Sequence, residues 1–423
     1  MPFLRSALLL LLSALSTSLP AQQPSRAVFE LLTDYHKAQA SFGAQTVSLD
    51  FKNTLRLLFD RDFDQEELAT YVSLLEQVEK LETRSLTAEW LTHELRLRLA
   101  ALRLKERTAA LPDEELENLS RIFDFENGPD WYLWMVKKWT GSDWTPEQLI
   151  AFGEAEVERV KEAIKDLNLP TTKPEHYFTK DRQKIIEKLR ERAEAIRTNL
   201  FELFPNYEQL PRLNIAQGRN SALAQAPGYY NGNTFYFNLF DSPFDLADTD
   251  WLLIHEGNPG HHFQVNYHNQ NRFNGPKFIG RSLGFVEGWA AYVENLGWEI
   301  GLYQDPYEAL GKWNWDLIRS VRVVLDVRLN YEGWTDAQAM KYWRQHIKGK
   351  DDIGRREIAR MKRWPAQVLT YKLGEKMIRD LLVKEKSAKG ANFSYKDFHT
   401  TLLSGGPLPV QLIPQLFENE SYK

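Results

Sequence analysis

The stretch His255-Glu256-Gly257-Asn258-Pro259-Gly260-His261-His262 gathers three of the chain's nine histidines into eight positions, behind the apolar run Trp251-Leu252-Leu253-Ile254. A histidine followed at once by glutamate, with a second histidine one helical turn on, binds zinc through both imidazoles and uses the carboxylate as general base. The spacing here differs. Six residues lead from His255 to His261 and seven to His262. On an unbroken helix six residues turn about 240° and rise about 9 Å, and seven return to the same face about 10.5 Å away. Neither pair reaches one zinc at about 2.0–2.1 Å per bond, so the helix must be interrupted. Pro259 removes an amide donor and crowds the preceding turn, and Gly260 admits backbone angles other residues avoid. Together they predict a break that swings His261 back towards His255, with His262 as the alternative ligand.

Glu287 follows in Gly284-Phe285-Val286-Glu287-Gly288-Trp289-Ala290-Ala291-Tyr292-Val293-Glu294. Glu287 and Glu294 are seven apart and share one face of a helix. In so apolar a segment unpaired carboxylates are costly. A metal relieves that cost if Glu287 ligates it and Glu294 braces a ligating histidine from behind. Two histidines and one glutamate leave a zinc position open to water, the catalytic type of site. The bland alternative is a polar helix end with solvated histidines and both glutamates facing water.

The elements that must hold these residues read mainly as helices. Residues 62–110 carry apolar side chains three and four apart, as in Leu74, Leu75, Val78 and Leu81,. Thr145-Pro146-Glu147-Gln148 is a helix start with proline in the first turn and glutamine placed for a capping box. Residues 180–203 form another charged amphipathic helix. The aromatic runs flanking Asn231-Gly232-Asn233 signal a hairpin. With Leu213-Asn214-Ile215 upstream they predict a small antiparallel sheet just before the histidines, its edge able to take an extended peptide. The Pro- and Thr-rich stretch 169–174 is the weakest join. It divides an N-terminal helical region, 22–170, from a zinc-binding region, 171–423, unless the two are continuous.

Residues 1–21 read as a secretory signal peptide: Arg5, an apolar run from Ala7 to Leu15, then small residues,. The run is too short to span a bilayer, which takes roughly 20 residues. The expectation is a secreted or periplasmic protein, free of the membrane after signal removal. Cysteine is absent, which excludes disulfides, thiolate metal sites and a cysteine nucleophile. Net charge is −5 with acids and bases interspersed, so no basic stripe marks a nucleic-acid partner. Thirteen tryptophans point first to a large core and second to an aromatic-lined cleft.

At these motifs the chain resembles the bacterial family called domain of unknown function 885, grouped with the gluzincin metallopeptidases. The pattern Glu-Gly-Trp-Ala-x-Tyr-x-Glu is also similar to the Glu-Gly-Phe-Ala segment of gluzincin aminopeptidases. The likeness takes in Thr145–Arg159, Arg319-Ser320-Val321-Arg322-Val323-Val324-Leu325-Asp326, Gly333-Trp334-Thr335, residues 363–374 and residues 404–409, or roughly residues 145 to 415. It implies a mainly α, gluzincin-like fold with zinc on His255, His261 and Glu287 and with Glu256 as base. The shared Gly-His step favours His261 over His262. Relatives are usually longer. Many carry glycine and histidine where this chain has Arg328 and Asn330, and glycine where it has Ala366.

The resulting expectation is a zinc hydrolase acting on peptides. Zinc lowers the pKa of a bound water, Glu256 moves the proton, and Tyr371, by analogy with gluzincin tyrosines, donates to the oxyanion. Glu294 and Asp326 are expected to support the ligands. Arg319, Arg322, Arg363, Gln367 and Lys372 are expected to hold the substrate, the cationic four through a carboxylate. A non-peptide amide hydrolase and a non-catalytic zinc-containing binding protein are the alternatives. The sequence leaves substrate and oligomeric state open.

Overall fold

The computed structural model describes residues 26–418 except 83–84, 171, 221–225, 241 and 271–281. The expected signal segment lies outside the described residues. Helices dominate. The N-terminal set is α1 (Arg26–Phe42), α2 (Phe51–Phe59), α3 (Gln65–Glu79), α4 (Leu86–Glu106), α5 (Asp113–Asn118), α6 (Gly128–Thr140) and α7 (Pro146–Asp166). Then come β1 (Phe178–Thr179), α8 (Arg182–Asn199), β2 (Asn214–Gln217), β3 (Gly228–Asn231), β4 (Thr234–Phe237) and β5 (Phe244–Asp245). The site helices follow: α9 (Thr249–Glu256), α10 (His261–Gln270), α11 (Leu283–Glu294), α12 (Pro306–Asn330), α13 (Asp336–His346), α14 (Asp351–Arg363) and α15 (Leu369–Lys389).

Local chemistry explains where several of these begin. The α7 start is a full capping box: the Thr145 hydroxyl accepts from the Gln148 amide, and the Gln148 side chain accepts from the Thr145 amide. The periodic stretch 62–110 holds two helices, because Asp64 caps α3 and Ser85 caps α4.

The hairpin forms at Asn231-Gly232-Asn233, with Gly232 and Asn233 both at positive φ (53° and 62°). That is the two-residue turn whose twist suits antiparallel strands. The strand order is β2-β4-β3, and β2 joins β4 in parallel. The sheet is therefore mixed where an antiparallel one was expected. β1 and β5 form a separate antiparallel pair.

Two contacts position the site. α11 and α15 cross so closely that a Cβ on Gly374 would lie 1.9 Å from the Gly284 carbonyl oxygen, and one on Gly288 would lie 2.4 Å from the Gly374 Cα. Only glycine permits that approach. α12 packs along α7, where a Cβ on Gly153 would meet Val324 at 2.7 Å. The largest core cluster takes residues from both sides of the 170/171 join, from Val28 and Tyr71 to Trp289 and Phe398. Of the tryptophans, Trp131, Trp289 and Trp343 are fully buried while Trp298 is exposed.

Candidate metal centre

α9 ends at Glu256 and α10 begins at His261. The Asn258–Pro259 peptide between them is cis. The backbone turns back directly over the last turn of α9. A Cβ on Gly260 would lie 2.0 Å from the His255 carbonyl oxygen and 2.2 Å from that of Ile254. Trp289 of α11 pins the turn by donating its indole N–H to the Pro259 carbonyl at 2.8 Å. The outcome is that His255 and His261 face each other, ring centroids 4.9 Å apart and planes 84° apart.

Glu287 enters from α11. Its Oε2 lies 3.5 Å from His261 Nε2 and 3.9 Å from His255 Nε2. The three donor atoms lie within 4.8 Å of one another. Ligand atoms of a tetrahedral zinc with bonds of about 2.0–2.1 Å sit about 3.4 Å apart, so the donor set and its spacing fit that ion with small adjustments.

His255 is braced from behind. Its Nδ1 is 2.7 Å from Glu294 Oε1, and the other oxygen of Glu294 accepts from Arg319 Nη1 at 2.7 Å. All three are buried. With Nδ1 engaged on a carboxylate, Nε2 is the nitrogen presented to the cluster. Burial pushes the Glu256 carboxyl up. Burial would also raise Glu287, but the hydrogen bond and charge of His261, with the charge of His255, outweigh it and hold Glu287 at about 2.

His262 points elsewhere. Its Nε2 meets the Pro211 carbonyl at 2.8 Å and its Nδ1 the Tyr230 hydroxyl at 3.3 Å. The alternative ligand is thus occupied in tying α10 to the strand region.

His255 and Glu256 border a cleft of about 570 Å³. Trp251, Trp315 and Trp364 give it an apolar side, and Arg322, Arg360 and Tyr371 a polar one. The Tyr371 ring lies nearly parallel to that of His255, 6.2 Å away. The Arg319 and Arg322 guanidinium carbons stand 5.6 and 5.2 Å from its centroid. Its hydroxyl accepts from Arg360 Nη2 at 3.4 Å.

Several expected roles need correction. Lys372 does not face the cleft. It is fully buried, its ammonium on Glu156, Asp316 and Glu375 at 2.8, 2.6 and 2.6 Å. Those carboxylates converge like a metal site, and Lys372 sits at their centre, with Arg159, Lys312 and Arg379 around them. Asp326 is engaged away from His255, His261 and Glu287. It accepts from Tyr132 and from the Ala366 amide, both at 2.9 Å, and burial pushes it up to about 7. Ala366 itself stands at φ 65°, in the left-handed region that favours glycine. Asn330 donates to Asp326 and to the Met361 carbonyl, a structural place. Gln367 is buried and accepts from Arg360. Arg319 borders the cleft but its guanidinium serves Glu294. Arg363 borders it too, held by Asp50 at 2.8 Å.

Sequence reasoning missed Arg360 and Glu357. Residues 356, 357, 360, 363 and 364 recur at helical spacing along α14, a charged and aromatic face that was there to be read.

Fold and site together define a mainly helical protein in which two histidines and a glutamate converge beside an arginine- and tryptophan-lined cleft. It belongs to the family of bacterial proteins of unknown function called DUF885, which matches residues 23–416. The match also takes in helices α1 to α6, which carry none of the motifs quoted above. No curated protein matches. Two solved structures share the fold. One, described as a "putative lipoprotein" from Colwellia psychrerythraea, is 21% identical with a TM-score of 0.65, covering 93% of this chain and 73% of its own. Another so described, of unknown function from Shewanella oneidensis, is 17% identical with a TM-score of 0.59, covering 93% and 87%. Among the described residues no helix is long and apolar enough to cross a membrane.

Proposed function

We propose that this protein is an exported zinc-dependent hydrolase whose substrates are peptides. The convergence of His255 Nε2, His261 Nε2 and Glu287 Oε2 carries the reading. These three groups would hold zinc with one position open, where the ion would lower the pKa of a water to about 7. The protein's own residues do the rest. Glu256, adjoining His255 and opening onto the cleft, takes a proton from the attacking water and passes it to the leaving amine. Arg319 fixes Glu294, and Glu294 fixes the imidazole of His255. Tyr371, parallel to that imidazole, offers its hydroxyl to the oxygen that gains charge. The tryptophan side of the cleft takes apolar side chains and limits water. Export rests on residues 1–21.

The test is metal analysis together with product identification. Purified protein should hold close to one zinc and release defined fragments from a peptide library, read by mass spectrometry. Glu256→Gln should keep the zinc and lose at least about 100-fold in kcat. Glu287→Ala should lose zinc. Full occupancy in Glu287→Ala would falsify the ligand set, and full activity in Glu256→Gln would remove the base.

A further inference from the structure

We infer that Arg322 and Arg360 form an anchoring site for a substrate carboxylate, placed within about two residues of the scissile bond. This rests on the hydrolase reading and adds the class of substrate. Both arginines border the cleft that His255 and Glu256 open onto. Arg322 is 3% exposed, yet its Nε has no partner in the structure, and neither has Nε of Arg360. The pair shares one carboxylate. Arg322 Nη1 donates to Glu357 Oε2 at 2.8 Å, and Arg360 Nη1 is 3.6 Å from Glu357 Oε1.

Three of the other nearby acids are committed, Asp326 by Tyr132 and the Ala366 amide, while Glu256 lies at the His255 end of the same cleft. Glu294 is engaged by Arg319 and His255, and Glu287 faces the two histidines. Two guanidiniums against one carboxylate leave an excess positive charge in a place that water reaches poorly. An uncompensated buried charge is expensive. A carboxylate entering the cleft would balance it through charge-assisted bonds to planar forks. Arg356 and Arg363, farther along the same cleft, are occupied by Asp352 and Asp50, so they guide an anion without being vacant for it.

The distances set the register. From the His255 ring, steps of 6.2 Å to Tyr371 and 5.2 Å to Arg322 place the guanidinium within about 11 Å. An extended peptide advances about 3.3 Å per residue. The anchored carboxylate therefore lies at most about two residues from a carbonyl held beside His255. The C-terminus of a peptide and an acidic side chain both offer that group.

Calorimetry on the zinc-loaded Glu256→Gln protein separates the sources. Three probes suffice: acetyl-trialanine as free acid, the same peptide as its amide, and the amide with glutamate in the last position. The free acid should bind at least about tenfold tighter than the neutral amide. Tight binding of the glutamate amide would extend the site to side chains, and weak binding of it would restrict the site to peptide termini. Arg322→Met and, at a largely buried side chain, Arg360→Met should each erase most of the preference while leaving the neutral amide's affinity in place. Equal affinities, no binding at all, or a preference that survives both substitutions overturns the anchor. Failure of wild-type enzyme to cut any library peptide would instead overturn the hydrolase reading, whatever the binding shows.

Discussion

At the scale of single residues, the break at Pro259-Gly260 is what brings His261 round to His255 and Glu287. The need for a helix break followed from counting six residues, and the shared face of Glu287 and Glu294 from counting seven. What no count supplies is which way a charged side chain turns. Arg319 and Lys372 both look like anion-binding residues in sequence. One braces Glu294 and the other lies at the centre of three carboxylates. For Lys372 the difference is measurable. Replacing it with methionine leaves Glu156, Asp316 and Glu375 with one cation fewer in the interior, and breaking a buried pair in this way costs about 3–5 kcal/mol. Lys372→Met should therefore lower the denaturation midpoint strongly. A substrate-binding lysine would raise KM and leave that midpoint alone.

At the scale of elements, the caps and the hairpin turn were readable because each depends on residues three or four apart. The parallel docking of β2 on β4 was not, because it depends on where the backbone returns after the hairpin. The crossing of α11 and α15 was equally hidden: Gly288 and Gly374 are ordinary helix glycines until their helices meet. Gly374→Ala would drive a methyl against the Gly284 carbonyl. Overpacking costs about 1–3 kcal/mol, and the helices must part. Since α11 carries Glu287 and α15 carries Tyr371, the variant should lose both thermal stability and zinc affinity. Val383→Ala, exposed on the same helix, should change neither. Normal zinc affinity in Gly374→Ala would show that the crossing does not set the site.

At the scale of the molecule, a protein without cysteine relies on packing and ion pairs, and the expected metal adds to these. The site joins α9, α10 and α11, all of which feed the largest core cluster, so an ion bound there stabilises more than a surface loop. A ligand at 100 times its Kd contributes about 2.7 kcal/mol. Chelation should therefore lower the thermal midpoint by a few degrees, and zinc should restore it. Glu287→Ala should show no such response. A chelator effect of the same size in Glu287→Ala would place the responsible ion elsewhere.

The seam between α11 and α15 also has a historical consequence. A position that admits no side-chain atom cannot drift through intermediate sizes, so residues 288 and 374 are closed to gradual change while the cleft walls on α12 and α14 remain open to it. The walls can therefore exchange side chains around a fixed centre, whereas a methyl at the seam disturbs the centre itself.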